Sequence, residues 1–241
     1  MFITHEEYKP KKIKYGFFTK NVPVKSHRYL HHYDGHEENN SKLSKIFGCE
    51  KISVVDQKHT NKVIITNDYN SYCIADGQVT NKNNIALAVL TADCVPILLA
   101  DEENRVIASV HAGWRGARAD IINESILKMQ EMGAKLSNIN AIIGPCIRQK
   151  KYEIDNDFYF NFMQESEAYK IFFIPSLKEN HYMFDLPSYV KLKLKDLNIK
   201  RIFDVERDTY EDEENFFSFR RTAHNPASHM GNLVSVIMLI D

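Results

Sequence analysis

Little in this 241-residue chain points toward a membrane, an export route or a polyanion. Its longest apolar stretches, such as Ile85 to Leu90, fall far short of the roughly 20 residues a bilayer-spanning helix needs. The start, Met1 to Lys14, is polar and charged with no apolar segment behind a basic tip, so no export signal is expected. Charge of one sign is missing too. Against 32 Asp and Glu stand 31 Lys and Arg, and a net charge of −1 gives no electrostatic case for nucleic acid or an anionic membrane as main partner. Lys9, Lys11, Lys12 and Lys14 do cluster, but so short a block reads as a solvated segment rather than an interaction tail. Cysteine is sparse: Cys49, Cys73, Cys94 and Cys146 are scattered without a CxxC pair. In a chain with no export signal they read as reduced thiols, and the cytoplasm is the expected location.

Internal repeats, Pro/Ser-rich linkers and low-complexity blocks are also absent. Apolar content of 44% and charged content of 26% are ordinary for a globular protein, and the length fits one large domain or two small ones. Two polar stretches stand out as loops. Residues 27 to 42 carry His27, His31, His32 and His36 at irregular spacing, and Thr222 to Gly231 carries His224, Pro226 and His229.

Between them, apolar runs alternate in character. Ile52 to Val55 and Val63 to Thr66 are short β-branched runs that predict strands flanking a turn at His59. Ile85 to Leu90 is continuously apolar, the pattern of a strand buried on both faces. Pro96 to Ala100, Val106 to Val110 and Ala141 to Ile143 predict further strands. A helix is predicted from Ala117 to Met132, with Ile121, Ile122, Ile126, Met129 and Met132 on one side and Gly133 as its stop. Helices over Asn156 to Glu165 and Leu186 to Leu197, a strand over Arg201 to Val205 and a last strand over Leu233 to Ile240 complete the pattern. Strands and helices mixed in this way predict an α/β or mixed α+β sandwich, whose sheet order the sequence does not give.

Three segments supply the chemistry of an open metal site: Gln57-Lys58-His59, Thr91-Ala92-Asp93-Cys94-Val95-Pro96, and Val110-His111-Ala112-Gly113-Trp114-Arg115-Gly116. Imidazole and thiolate together suit zinc or copper and suit magnesium or calcium poorly. Three protein ligands leave a fourth position for water or substrate, as in catalytic zinc sites. Each ligand alone is weak, since a lone cysteine is usually a small hydrophobe. The third segment is more specific. A strand end carries a ligand-type residue, and a glycine-containing turn then opens into the predicted helix, whose first turn and positive dipole end offer an anion site between Arg115 and Arg118. Read more plainly, the two glycines permit the turn and Trp114 is a core or rim aromatic.

The segments TADCVP, VHAGWRG, Ile143 to Ile154 and Phe216 to Arg221 resemble the YfiH/laccase-domain family, first labelled multicopper polyphenol oxidase and since read as purine nucleoside phosphorylase. The resemblance extends from Tyr15-Gly16-Phe17-Phe18-Thr19 to the final strand. It implies a single domain over residues 1–241, an α/β sandwich with mixed sheets flanked by helices. It also implies a catalytic zinc on His59, Cys94 and His111, the same residues that ligand chemistry selects. The implied activities are phosphorolysis of adenosine, inosine and methylthioadenosine, with adenosine deamination at the same site. The chain departs from the family pattern at Thr60, where glycine is usual, at Asn21-Val22-Pro23-Val24, and at Asp208-Thr209, where Cys-Thr is usual. All three ligands are kept.

For deamination a carboxylate must carry a proton, and Asp93 and Asp76 are the candidates. For phosphorolysis, phosphate contacts are sought among Arg115, Arg118, Arg148, Arg220 and Arg221, although surface ion pairing is the default for any one arginine. Two rival readings use the same residues. One puts copper (Cu²⁺) at the His2Cys set in a polyphenol oxidase, against which stands the absence of any His-x-His pair. The other makes Cys94 a nucleophile and His111 its base, as in metal-free cysteine hydrolases, with a link to peptidoglycan-precursor editing.

Overall fold

The computed structural model describes residues 2–22, 36–67 and 73–241. In chain order the elements are β1 (Phe2–Ile3), β2 (Ile13–Phe18), α1 (His36–Phe47), β3 (Ile52–Val54), β4 (Val63–Ile65), β5 (Gly77–Thr80), β6 (Ala86–Thr91), β7 (Val95–Asp101) and β8 (Val106–Ala112). There follow α2 (Trp114–Arg118), α3 (Ile121–Glu131), β9 (Asn140–Ile143), β10 (Glu153–Asp155), α4 (Asn156–Met163), β11 (Phe173–Pro175) and β12 (His181–Phe184). The chain ends with α5 (Leu186–Asp196), β13 (Arg201–Asp204), α6 (Phe219–His224) and β14 (Leu233–Leu239). Short 3-10 turns lie at Leu136–Asn138, Gln149–Lys151 and Glu167–Phe172.

The strands form a five-stranded sheet in the order β1-β2-β14-β6-β3, a six-stranded sheet in the order β13-β9-β7-β8-β5-β4, and a small sheet β10-β12-β11. Period-2 alternation explains how the two large sheets stack. On β6, Ala86, Ala88 and Leu90 face a core shared with Leu43 and Phe47 of α1, whereas Leu87 faces the other sheet. On β7, Leu98 and Ala100 meet Leu87, Ile237 and Leu239 between the sheets, whereas Val95, Ile97 and Leu99 face α3 and α5. The layers therefore run α1, five-stranded sheet, six-stranded sheet, then the remaining helices with the small sheet. This is the mixed α+β sandwich expected from the sequence, with parallel pairs at β3–β6, β4–β5 and β9–β13 and antiparallel pairs elsewhere in the two large sheets.

The predicted strands appear within a residue or two of their expected limits, but two other expectations change. The single helix from Ala117 to Met132 is divided into α2 and α3, because Asp120 takes a left-handed backbone (φ +63°). Its carboxylate is held by Lys193 of α5. The polar stretches are not loops throughout. His36 opens α1 and Thr222 to His224 close α6, while His27, His31 and His32 lie outside the described residues.

Candidate metal centre and its cavity

His59, Cys94 and His111 come together: their ligand atoms lie within 4.8 Å of one another, the one such His/Cys/Asp/Glu cluster among the described residues. Each arrives by a different route. His59 sits in the turn between β3 and β4 with a left-handed backbone (φ +60°). Cys94 occupies the bend between β6 and β7, two strands in different sheets, and its sulfur is 3.9 Å from Nε2 of His59. His111 is fixed within β8, opposite Pro96 in register, and is almost wholly buried.

One carboxylate organises both histidines. Asp76, fully buried in the bend just before β5, accepts hydrogen bonds at Oδ1 from the His59 backbone N–H (2.9 Å) and from Nδ1 of His111 (2.8 Å). Oδ2 accepts from the Lys58 and Thr60 backbone N–H groups and from the Thr60 hydroxyl (3.2, 2.7 and 2.7 Å). With Nδ1 of His111 donating to Asp76, Nε2 is left to face Cys94 and His59, the arrangement of a metal-binding histidine with its carboxylate partner. Thr60, a departure from the family pattern, thereby gains a role: its side chain adds a bond to Asp76.

The glycines of the third segment do not serve a left-handed turn, as Gly113 has φ −69°. They permit close approach. A Cβ at Gly113 would stand 3.0 Å from Cδ2 of His59, 3.1 Å from the Cys94 sulfur and 3.7 Å from Nε2 of His111, and one at Gly116 would stand 2.9 Å from the Thr60 carbonyl oxygen. The chain thus leaves a hollow bounded by two imidazoles and a thiol. This donor set and this space fit a tetrahedral zinc or a copper ion with one position open.

Electrostatics support the same reading. Burial opposes charge on Cys94 and His111, yet the pair overcomes it. His111 and His59 draw the Cys94 thiol well below its ordinary range, and Cys94 with Asp76 drives His111 above its own. Burial likewise opposes the Asp76 carboxylate, but hydrogen bonds from His111 and Thr60 hold its pKa down to about 2.

His59 and Cys94 of the cluster line a cavity of about 260 Å³, with Trp114, Arg115, Ile147, Tyr152, Leu186, Phe219 and Arg220 as its other walls. A second hollow of about 320 Å³ adjoins it, sharing Trp114, Tyr152 and Arg220. Two of the five candidate arginines, Arg115 and Arg220, therefore reach the cavity. Arg115 lies exposed over the Trp114 ring, and Arg220 over the Tyr152 ring with Nη1 donating to the Glu153 carbonyl.

The other three are committed elsewhere. Arg118 pairs with Glu165 and covers Phe162, Arg148 makes a two-pronged bond to Asp204, and buried Arg221 donates to the carbonyls of Thr209, Tyr210 and Phe216. The anticipated helix-dipole site also shrinks, because α2 has only five residues. Asp93 borders the cavity, but both its oxygens, like those of Asp76, accept hydrogen bonds from the framework. Sequence reasoning passed over Tyr152 and Phe219. Both lay inside motifs that carry the resemblance, Tyr152 in Ile143 to Ile154 and Phe219, 59% exposed beside the site, in Phe216 to Arg221.

The chain belongs to the family described as multi-copper polyphenol oxidoreductase laccase, whose model matches residues 32–240. It is 38% identical over 234 residues to a purine nucleoside phosphorylase of Rickettsia conorii, covering 94% of this chain and 96% of the relative. A protein of the same name from Rickettsia prowazekii is 37% identical over 235 residues, covering 95% and 97%. Among solved structures, a Neisseria meningitidis protein matches with a TM-score of 0.86 at 23% identity, over 100% of this chain and 99% of that one. The Bacillus licheniformis hypothetical protein YfiH matches with a TM-score of 0.82 at 25% identity, over 94% and 92%. The resemblance read from the motifs is thus borne out, and so is the fold.

Proposed function

We propose that this chain is a zinc-dependent purine nucleoside phosphorylase acting on adenosine, inosine and methylthioadenosine, working as one domain over residues 1–241 in the cytoplasm. The observation that carries the reading is the His59–Cys94–His111 cluster opening into a cavity that Arg115 and Arg220 line. The names of relatives that align over nearly the whole chain support the substrate class. Four cysteines outside any disulfide suit a reducing compartment, and no helix among the described residues is long and apolar enough to cross a membrane.

Zinc held by His59, Cys94 and His111 would supply Lewis acidity beside the cavity. The protein's own groups do the rest. Arg115 and Arg220 hold phosphate as a dianion beside C1′ of the ribose, where guanidinium groups grip it by paired N–H donors. As the C1′–O bond to phosphate forms, the bond from C1′ to the purine ring nitrogen breaks, and the departing base takes the proton that the phosphate brought. Trp114, Tyr152 and Phe219 offer aromatic faces to the base and keep water from C1′. Deamination of adenosine, a side activity of the same reading, needs a proton carrier for the attacking water. Asp93 and Asp76 are the nearest carboxylates, and their engaged oxygens make that the minor activity.

Zinc-loaded protein given adenosine with and without phosphate tests this. Adenine formed only with phosphate, and lost in Cys94→Ala, is the expected outcome. Inosine with no phosphate requirement would leave deamination alone, and no product from protein holding stoichiometric zinc would end the purine reading. A second reading has one specific observation behind it: the lowered Cys94 thiol beside a raised His111 is also the pairing of a cysteine nucleophile and its base. Activity that survives complete removal of metal would favour it. Oxidation of a phenol only after copper loading would measure the affinity of the site for copper rather than its native role.

A further inference from the structure

Asp93 sits between β6 and the metal-cluster residue Cys94 with a positive φ of +89°, a conformation that a side-chain-bearing residue adopts only when its surroundings hold it there. What holds it is a set of contacts to residues far away in sequence. Oδ1 accepts from the Thr209 hydroxyl (2.6 Å), and Oδ2 accepts from the Ser218 hydroxyl (3.0 Å) and the Arg220 backbone N–H (2.7 Å). Its own carbonyl accepts from the Ile147 N–H (3.0 Å). These contacts join the bend that carries Cys94 to the start of α6, where Ser218 is the N-cap and Phe219 and Arg220 are the first helical residues.

We propose that Asp93 is a positioning residue whose carboxylate clamps the N-terminal end of α6 at residues 218–220, so placing Phe219 and Arg220 at the mouth of the cavity, and that it carries no proton in the reaction. The side chains of both residues are otherwise weakly restrained. Phe219 is largely exposed, and the Arg220 side chain is held by a single carbonyl, that of Glu153, and the face of Tyr152. The segment has its own internal ties, because Arg221 binds the carbonyls of Thr209, Tyr210 and Phe216. Loss of the clamp therefore frees the segment from the bend without unfolding it.

The donors decide what can replace the carboxylate. The Arg220 N–H can only donate, and the Ser218 oxygen already accepts from the Arg221 N–H, so its hydroxyl proton goes to Asp93. The acceptor at Oδ2 is obligatory. The Thr209 hydroxyl can reverse and accept instead. Asparagine, with its oxygen toward Ser218 and Arg220 and its amide NH2 toward Thr209, restores the clamp and tolerates a positive φ. A proton carrier would find no substitute in asparagine.

The effect on phosphate rests on the phosphorylase reading above, whereas the clamp does not, and two measurements separate them. Amide hydrogen exchange over residues 216–221 of the zinc-loaded full chain reports the clamp. Asp93→Ala and Asp93→Gly are expected to speed exchange there, and Asp93→Asn to restore most of the protection; no change in Asp93→Ala overturns the proposal. Titration with inorganic phosphate, followed by fluorescence of Trp114, the chain's only tryptophan, reports the cavity. Asp93→Ala is expected to raise the phosphate dissociation constant and KM about tenfold, the loss of one charge-assisted bond, with zinc stoichiometry unchanged. Combined with Arg220→Ala it should do no further harm, because both changes remove the same contact. Additive losses, or a fall in kcat in Asp93→Asn as deep as in Asp93→Ala with KM unmoved, overturn the proposal. A wild-type protein that neither turns over adenosine nor responds to phosphate sinks the phosphorylase reading instead, and the exchange data still decide the clamp.

Discussion

At the scale of single residues, Asp76 and Gly113 do more for the centre than a search for ligands reveals. Asp76 takes five hydrogen bonds from four residues, fixing the His59 turn and the His111 tautomer together. Asp76→Asn puts an amide NH2 among donors, so zinc affinity should fall about 10- to 100-fold, the usual effect of losing a ligand's supporting partner. Competition with a chromophoric chelator measures it, and unchanged affinity would show that the histidines orient themselves. Gly113→Ala would bring a methyl to 3.0 and 3.1 Å from His59 and Cys94, tighter than ordinary van der Waals contact. The same titration should show weaker zinc binding, while far-UV circular dichroism stays that of the wild type.

At the scale of elements, the arginines that miss the cavity hold the architecture together. Arg148, just before a 3-10 turn, grips Asp204 at the end of β13 with two bonds of 2.7 and 2.8 Å, and Lys191 of α5 binds the same carboxylate. This ties the edge of the six-stranded sheet to the connection leading into the small sheet. Arg148→Ala leaves Asp204 short of its main partner and should lower stability by about 3 kcal/mol, seen as a reduced urea midpoint, with zinc binding intact.

The pH dependence has a definite sign. Burial opposes ionisation of Asp204, but the Arg148 and Lys191 bonds more than offset it, so its folded pKa lies below the ordinary value. The pair's contribution is then full above the ordinary carboxylate range and disappears as the pH falls through the folded pKa. The stability gap between wild type and Asp204→Asn should accordingly narrow on acidification. A gap that is constant from pH 7 to pH 3 would show that Asp204 contributes by packing alone.

At the scale of the whole molecule, the centre links parts of the chain that no single element joins: the β3–β4 turn, the β6–β7 bend where the chain passes between the two large sheets, and β8. A metal held by all three binds the folded state far better than the unfolded one. Zinc in hundredfold excess over its dissociation constant should therefore add about 2.7 kcal/mol, and chelation should lower the melting temperature in calorimetry. A melting temperature indifferent to chelator would mean that the three segments hold their places without the ion.

Much of this was legible beforehand, for physical reasons that particular residues illustrate. Strand runs such as Ile85 to Leu90 showed themselves because burial on both faces demands unbroken apolar sequence. The His2Cys set was legible because ligand chemistry is a property of side-chain type, and its motifs carried the family resemblance. The break at Asp120 was not, since its left-handed backbone is held in part by Lys193, 73 residues away. Nor could the five arginines be sorted: each offers the same guanidinium, and only its neighbours in space decide between a carboxylate, a carbonyl and an open cavity.

The amino-acid sequence by itself determined the main core strands, the mixed α+β class and the three donor atoms, because periodicity and side-chain chemistry are local. Tertiary structure alone decided that Asp76 and Asp93 serve as anchors, that Arg115 and Arg220 reach the cavity, and that Gly113 leaves room for an ion. Those roles depend on distances between segments tens of residues apart, and such distances exist only once the sheets have stacked.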